Sequence, residues 1–546
     1  MTEPEPMMFK RPILGSIPLS IIVSVYILLL LNRTFWAKTF GIMAGQNLAI
    51  AAFAVGITFA FIALFVSFSV KYLMKPLLIV FIWTAASSAW FMDQFGVIID
   101  DDMIRNAAET NTAEASHLIT AGFILHMCLY ALLPSLLIAW VKIRHRNFFS
   151  KVVRNLAVII PSLVIFAVAG LSHAGIYSFA RRQNHDWFEM LNPVFPMINA
   201  VTYVRKATAE KNIVVKPLGR DAKVADALKA SHRKPRVTIV VVGETARASS
   251  FQLGGYERPT NPELSKRDIF YFTKATSCGT ATAISVPCMF SNLGQNGYAH
   301  ARALAQENLM DVLVHAGVRT EWLDNNTGSK GVADRIPYSD LFNSKDARFC
   351  NGGECWDDIL LDRLDGWLKT VSGDAVLVLH QLGSHGPAYY ARYPDAFKIF
   401  QPDCRSSEFS KCHRDEIINA YDNTIVYTDH VLASIIDKLS AQQDRLSPSM
   451  IYMSDHGESL GEKGLFLHGA PWLVAPEQQT HIPFVLWLGA EARQGIESEC
   501  IDKLEKEPVS HDNLFHTVLG LMHVETKVKD PKLDIYGSCK ASNAKS

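Results

Sequence analysis

The sequence predicts a five-helix transmembrane domain followed by an α/β domain outside the membrane, a mostly parallel sheet with helices on both faces. Three observations predict it. Five long apolar stretches fill the first third of the chain. Further on, two β-favouring apolar runs stop abruptly at acidic residues. Eight of the nine cysteines lie beyond the apolar stretches.

The stretches Ile13–Leu31, Leu48–Val70, Leu77–Ile99, Leu118–Val141 and Leu156–Tyr177 are each about long enough to cross a bilayer as a helix. Lys10 and Arg11 precede the first, Lys71 and Lys75 separate the second and third, and Lys142, Arg144, Arg146, Lys151 and Arg154 separate the fourth and fifth. The other two connections carry few cations, and one holds Asp100, Asp101 and Asp102. Cations concentrate in cytoplasmic loops, so the amino terminus is expected inside and everything after Tyr177 outside. The first stretch is not a cleaved signal peptide, because four more follow and no small-residue cleavage site is evident. Expected domains are 1–177 in the membrane, a bridge over 178–235, and a catalytic domain over 236–546. The bridge holds Trp187, Phe188, Phe195 and Tyr203. It is expected on the membrane surface or against the outer domain.

In the outer domain, Arg236–Val242 and Ser449–Met453 are continuous apolar runs of the kind that form buried parallel strands. Val318–Leu323, Ala375–His380 and Ile482–Leu488 also read as strands, and Asp357–Val371 and Asp415–Leu439 as helices between them. The alternation argues for an α/β sheet. Formal net charge is zero, and no basic tract points to nucleic acid. Cys278, Cys288, Cys350, Cys355, Cys404, Cys412, Cys500 and Cys539 form an even set in an exported domain, which suggests disulfides. Short spacings suggest Cys278–Cys288, Cys350–Cys355 and Cys404–Cys412, leaving Cys500–Cys539. The C-x-x-C spacing of cysteine–zinc sites is absent.

The chemistry is read from the strand ends. The first run ends in Gly243-Glu244-Thr245 and the second in Ser454-Asp455-His456. Open α/β sheets place ligands at such carboxyl ends. A carboxylate beside an imidazole is half of a zinc site, and two strands delivering acids to one edge suggest a shared metal. Cys278-Gly279-Thr280-Ala281-Thr282 is a small-residue turn entering a helix. A threonine there faces phosphate-binding N–H groups, and on a metal it is a competent nucleophile. Taken alone, Thr282 reads more readily as a helix cap than as a nucleophile. His380-Gln381-Leu382-Gly383-Ser384-His385-Gly386-Pro387 and Leu467-His468-Gly469 add histidines just beyond strands.

Gly243-Glu244-Thr245, Cys278-Gly279-Thr280-Ala281-Thr282, Gly383-Ser384-His385-Gly386-Pro387 and Ser454-Asp455-His456-Gly457-Glu458, behind five spans, resemble the lipid A phosphoethanolamine transferases, which include the mobile colistin-resistance enzymes. The resemblance implies an alkaline-phosphatase-like outer domain and zinc ligands Glu244, Thr282, Asp455 and His456. It makes Thr282, not Thr280, the nucleophile. Lys330 matches a phosphate-contacting lysine. His385 and His468 match residues that hold the phosphoryl group or a second zinc, and Glu458 a further pocket acid. Asn106, Thr110 and Glu114 match lipid-binding residues, and their spacing puts them on one helix face.

The implied donor is phosphatidylethanolamine and the implied acceptor a lipid A phosphate, in a ping-pong reaction through phosphoethanolamine on Thr282. The implied setting is the bacterial inner membrane, with the catalytic domain in the periplasm, and a monomer is expected. Added ammonium groups would weaken polymyxin binding. A core-sugar or glucan acceptor, phosphoglycerol transfer, and hydrolysis to water use the same machinery. A non-enzymatic membrane-tethered sensor would be expected to lose the nucleophile or a ligand, and this chain keeps all four.

Overall fold

The computed structural model describes residues 11–540 except 111, 145–146, 185, 212, 226–232 and 352, and leaves the side chains of residues 113 and 114 undescribed. Lys10, Arg146 and the side chain of Glu114 therefore fall outside it. The chain forms two compact units, one made of Met1–Asp101 and Ile119–Thr202, the other of Asp102–Leu118 and Tyr203–Ser546.

The first unit is helical. Asn47–Ser67, Met74–Phe95, Ala121–Trp140 and Phe148–Ser172 are four helices long and apolar enough to cross a membrane. The expected first span differs. Ile13–Gly15 is a short strand, and Ser16–Leu30 bends by 64° into Arg33–Ile42, so this pair counts as a fifth span only if taken together. The bend falls at Asn32, whose side chain donates to the carbonyls of Ile27 and Asn192. The Ala121–Trp140 span carries a π-helical turn over Cys128–Leu132. The last span starts two turns earlier than expected, so Lys151 and Arg154 lie inside it. Its Val153, Leu163, Val164 and Leu171 are exposed, as a helix facing lipid requires. It meets Asn47–Ser67 at Gly56, where a Cβ would stand 3.0 Å from the Ala169 Cβ. Small residues are what allow membrane helices to approach so closely.

The aromatic bridge divides: its residues up to Thr202 belong to the membrane unit, and from Tyr203 on it packs in the outer unit, as one of the two expectations had it, with Lys223–Val224 paired to Val524–Glu525. Trp187 is fully buried in the membrane unit, stacked on Phe53 with ring centroids 4.9 Å apart. Its indole N–H donates to Thr39 Oγ1 at 2.8 Å, which satisfies the one polar group that burial would otherwise strand.

The second unit is built on an eight-stranded sheet. Its strands are β1 (Arg236–Gly243), β2 (Phe270–Thr276), β3 (Arg319–Asp324), β4 (Tyr338–Asp340), β5 (Ala375–His380), β6 (Ser447–Ser454), β7 (His481–Leu488) and β8 (Val509–Ser510). Their spatial order is β8-β2-β7-β6-β1-β5-β3-β4. From β6 to β4 all neighbours run parallel; β7 is antiparallel to both β6 and β2. Every residue of β1, β5 and β6 is buried. Such strands must be covered on both faces. Val240, Val242, Val376 and Val378 pack with Val286, Leu514 and Val518 of flanking helices. The long helix Arg414–Ser440 buries Ile417, Tyr421, Ile425 and Leu432 and packs against β6.

The register sets the site. Gly243 stands opposite Ser454, and His380 opposite both Val242 and Asp324. Glu244, Asp455, His380 and Asp324 thus gather at one carboxyl edge. All eight outer cysteines pair as expected: Cys278–Cys288, Cys350–Cys355, Cys404–Cys412 and Cys500–Cys539.

Candidate metal centre and active site

β1 and β6 end side by side and release Glu244, Asp455 and His456 into one buried cluster. His456 Nε2 lies 3.3 Å from Asp455 Oδ2 and 3.5 Å from Glu244 Oε1. Thr282 joins them: its Oγ1 is 3.1 Å from Glu244 Oε2 and 3.3 Å from His456 Nε2. It is the first residue of the helix Thr282–Met289, whose cap is Ala281 with no side-chain bond. Thr282 therefore does not cap that helix. Thr280 points elsewhere, donating to the Ala470 carbonyl at 2.7 Å.

The cluster is tightly framed. Thr245 sits at φ 58°, a conformation a β-branched residue rarely adopts. The fold holds it there through its N–H, which donates to Asp455 Oδ1 at 3.0 Å, and its hydroxyl, which donates to Glu244 Oε1. Asn326 donates to Glu244 Oε2 at 2.8 Å and to the Gln381 carbonyl at 2.7 Å. Gly383, at φ 54°, lets the loop after β5 press on this site, because a Cβ there would stand 2.7 Å from the Glu244 carbonyl oxygen. Asp357 anchors the same loop, accepting from the N–H groups of Leu382 and Gly383 at 2.9 and 3.0 Å.

These residues fit a divalent metal ion. Asp455 Oδ2 is buried and accepts no hydrogen bond among the described residues. His456 Nδ1 lies 2.9 Å from the Gly457 carbonyl, the bond that turns Nε2 toward a metal. Burial alone would depress the His456 imidazole, but the Asp455 and Glu244 carboxylates pull it above its ordinary value. The pocket thus favours positive charge. Two carboxylates, an imidazole and a hydroxyl form a four-donor oxygen and nitrogen set.

A second group lies against the first. The His456 and His468 ring centroids are 4.3 Å apart, and those of His468 and His385 5.5 Å. His468 Nδ1 is 2.9 Å from Glu458 Oε2, and the Tyr389 hydroxyl donates to Glu458 Oε1. Burial raises the Glu458 carboxyl well above its ordinary range and pushes His385 down to about 3.

The segment Asp102–Leu118 packs in this same unit. Lys330 Nζ donates to the Thr327 carbonyl at 3.0 Å and lies 3.4 Å from Glu109. His117 lies 3.0 Å from Glu354, which also receives Arg392; Arg392 Nε in turn donates to the His385 carbonyl at 2.7 Å. Asn106, Thr110 and Glu114 do not share one helix face as expected. The helix Asp101–Glu109 ends before Thr110, and a separate one runs Thr112–Leu118. Thr110 turns its hydroxyl back onto the Asn106 carbonyl at 2.8 Å.

Sequence reading missed His511, Thr245, Asn326, Asp357 and Tyr389. Asn326 sat in the Asp324-Asn325-Asn326 run after a strand, a visible signal. Thr245 stood beside Glu244 in the Gly243-Glu244-Thr245 motif, whereas His511, Asp357 and Tyr389 are assembled only by the fold.

The sulfatase family matches residues 236–524, and the family described as phosphoethanolamine transferase EptA/EptB matches residues 57–208. The phosphoethanolamine transferase EptA of Salmonella typhimurium is 36% identical over 545 residues, covering 97% of this chain and 98% of that one. The phosphatidylethanolamine transferase Mcr-1 of Escherichia coli is 37% identical over 93% of this chain and 95% of its own. The integral membrane lipooligosaccharide phosphoethanolamine transferase A of Neisseria meningitidis superposes with a TM-score of 0.93 at 33% identity, covering 97% of this chain and 100% of that one. With an apolar helical unit in front of a sulfatase-type sheet, this multi-pass membrane protein belongs to the phosphoethanolamine transferase family and is a transferase enzyme.

Proposed function

We propose that this protein moves phosphoethanolamine from phosphatidylethanolamine to a lipid A phosphate, with Thr282 as nucleophile and zinc held by Glu244, Thr282, Asp455 and His456. The observation that carries the reading is the Thr282 hydroxyl, 3.1 Å from Glu244 Oε2 inside a buried acid–imidazole cluster. When bound, zinc lowers the threonine pKa and neutralises charge on the phosphoryl oxygens.

The chain's own residues do the rest. Thr282 Oγ attacks phosphorus; Glu244 Oε2 is the nearest acceptor for its proton. The bond from phosphorus to the diacylglycerol oxygen breaks, that oxygen takes up a proton, and phosphoethanolamine stays on Thr282. A lipid A phosphate oxygen then attacks phosphorus, the bond to Thr282 breaks, and the hydroxyl re-forms. Lys330, His385, His468 and Glu458 orient the phosphoryl group, and Asn106, Thr110 and Glu114 contact the lipid. Both substrates are lipids, which accounts for the membrane unit. The reading places the protein, as a monomer, in the bacterial inner membrane, with residues 236–546 in the periplasm after a bridge over 178–235. The added ammonium lowers lipid A affinity for polymyxins.

Mass spectrometry of lipid A from cells with and without the protein tests this. Phosphoethanolamine on lipid A only in its presence is expected. Unmodified lipid A with a decorated core sugar or glucan would transfer the reading to that acceptor, and free phosphoethanolamine alone would make the protein a hydrolase.

A further inference from the structure

The membrane unit holds a cavity of about 550 Å3 that none of the candidate catalytic residues lines. Ile13, Leu14 and Ile17 contribute its apolar lining; Arg144, Lys151 and Arg154 contribute its cations. Two features of the backbone fix these positions. The strand Ile13–Gly15 pairs in parallel with Lys142–Arg144, which sets Arg144 opposite Gly15. Lys151 and Arg154, three apart on the Phe148–Ser172 helix, share a face.

The cavity is strongly positive. Among the described residues, no acidic side chain pairs with Arg144, Lys151 or Arg154. Nearby cations are engaged differently: Arg11 donates to the Trp140 carbonyl at 2.7 Å and Lys75 to the Ala139 carbonyl at 2.9 Å, closing a helix end. The amino end of the Ser16–Leu30 helix also lines the cavity, with no side-chain cap and no acid in its first turn. Its dipole adds to the three cations. Asn155 lines the cavity too; its Nδ2 donates to Ser69 Oγ at 2.8 Å, and its Oδ1 is buried without a hydrogen-bond partner among the described residues. That oxygen would accept from a hydroxyl.

A free phosphate would use the cations and leave the apolar lining without a role. Phe148, Phe149, Val152 and Val153, on the helix that carries Lys151 and Arg154, are exposed. Acyl chains would cover that surface.

We propose that this cavity binds an anionic glycerophospholipid. Its phosphodiester sits among Arg144, Lys151 and Arg154, a headgroup hydroxyl donates to Asn155, and its tails lie along Phe148–Ser172. Basic pockets between membrane helices bind anionic lipid headgroups. The positive-inside rule assigns this cation-rich end to the cytoplasmic leaflet. Such a lipid would fasten the amino-terminal strand to the last span.

Native mass spectrometry of the full-length protein in detergent tests the site, with phosphatidylglycerol, phosphatidylethanolamine or inorganic phosphate added at equal concentration. Phosphatidylglycerol is expected to be retained roughly tenfold better than phosphatidylethanolamine. Phosphate should not be retained. A Lys151→Gln, Arg154→Gln double variant should hold phosphatidylglycerol no better than phosphatidylethanolamine while keeping its transferase activity. Equal retention of the two lipids by the wild type would overturn the proposal without any variant. Retention of phosphate as strong as that of phosphatidylglycerol would overturn the lipid assignment, and undiminished preference in an active double variant would overturn the location.

Discussion

His511 ties together two of the three pieces of chain that form the candidate metal cluster. Its Nε2 lies 2.8 Å from the Ser454 carbonyl, at the end of the strand that releases Asp455. Its Nδ1 accepts the Cys278 N–H at 3.0 Å, at the start of the loop that carries Thr282. One ring thus fixes both, and its tautomer is set by serving as donor to one and acceptor to the other.

A pH dependence follows. Burial holds His511 down at about 4, against an ordinary 6.5. As pH falls below about 6.5 the unfolded chain takes up the proton first, so stability is lost from there down toward pH 4. Asp357 and Asp429, each raised to about 6 by burial, act oppositely over that window. The test therefore compares His511→Gln with wild type in a soluble fragment starting at Pro217, by chemical denaturation. At pH 7 the variant should be less stable by about 1–3 kcal/mol, for a buried N–H left without its acceptor. At pH 5 that gap should shrink by about 2 kcal/mol. A gap that does not change with pH would show that His511 is not held neutral by the fold.

How much of this was legible depends on how local each signal is. Arg236–Val242 and Ser449–Met453 read as buried strands because continuous apolar β-favouring residues leave few alternatives, and the acids after them marked the site. The direction of β7 was not legible, because a strand's period is the same either way along the sheet. β2 was missed: Phe270-Tyr271-Phe272-Thr273-Lys274 has no clean alternation and gains its partners from β7 and β8. His511 has no motif, since its partners lie 57 and 233 residues away. The helix break after Glu109 has no breaker in the sequence, since neither Gly nor Pro occurs between Asn106 and Glu114.

The candidate metal cluster makes a prediction of its own. Asp455→Asn removes a carboxylate from a cluster whose other members are buried and close. Zinc affinity, measured by titration of the purified protein against a chromophoric chelator, should fall by more than the roughly 10–100-fold typical of an outer partner. Chelation of the wild type should lower its melting temperature, and zinc should restore it, because a ligand bound only to the folded state stabilises by mass action. A melting temperature indifferent to chelator and zinc would remove the metal from the site.

The soluble fragment starting at Pro217 should fold and bind zinc yet fail on membrane-embedded lipid A. The sheet and cluster begin at Arg236. The fragment lacks Glu109, which pairs with Lys330, and His117, which reaches the His385 carbonyl through Glu354 and Arg392. In the full chain, Glu354→Gln should lower transfer by weakening that chain of contacts, while zinc content stays at the wild-type level. Transfer to vesicle lipid A by the fragment at the full-length rate would show that neither contact nor membrane tether matters.

Thr282→Ala should abolish transfer and leave the fold intact. Thr282 stands at the first turn of a helix, so its oxygen and the backbone N–H groups there face an incoming phosphate together. Its hydroxyl is within 3.4 Å of both Glu244 oxygens and of His456 Nε2. A ping-pong route needs one side chain to hold the group between two lipids. The competing role, a helix cap, would leave chemistry nearly normal and cost about 1 kcal/mol of stability. The structure weakens that alternative, because Ala281 is the cap and Thr282 bonds to side chains. Thr282→Ser should keep part of the activity, since the oxygen survives in place. Peptide mass spectrometry should find phosphoethanolamine on residue 282 in the wild type and in the Ser variant, and nowhere in the Ala variant. Phosphoethanolamine on Thr280 would instead require that hydroxyl to leave the Ala470 carbonyl and turn into the cluster. Near-normal lipid A modification by Thr282→Ala would force that choice.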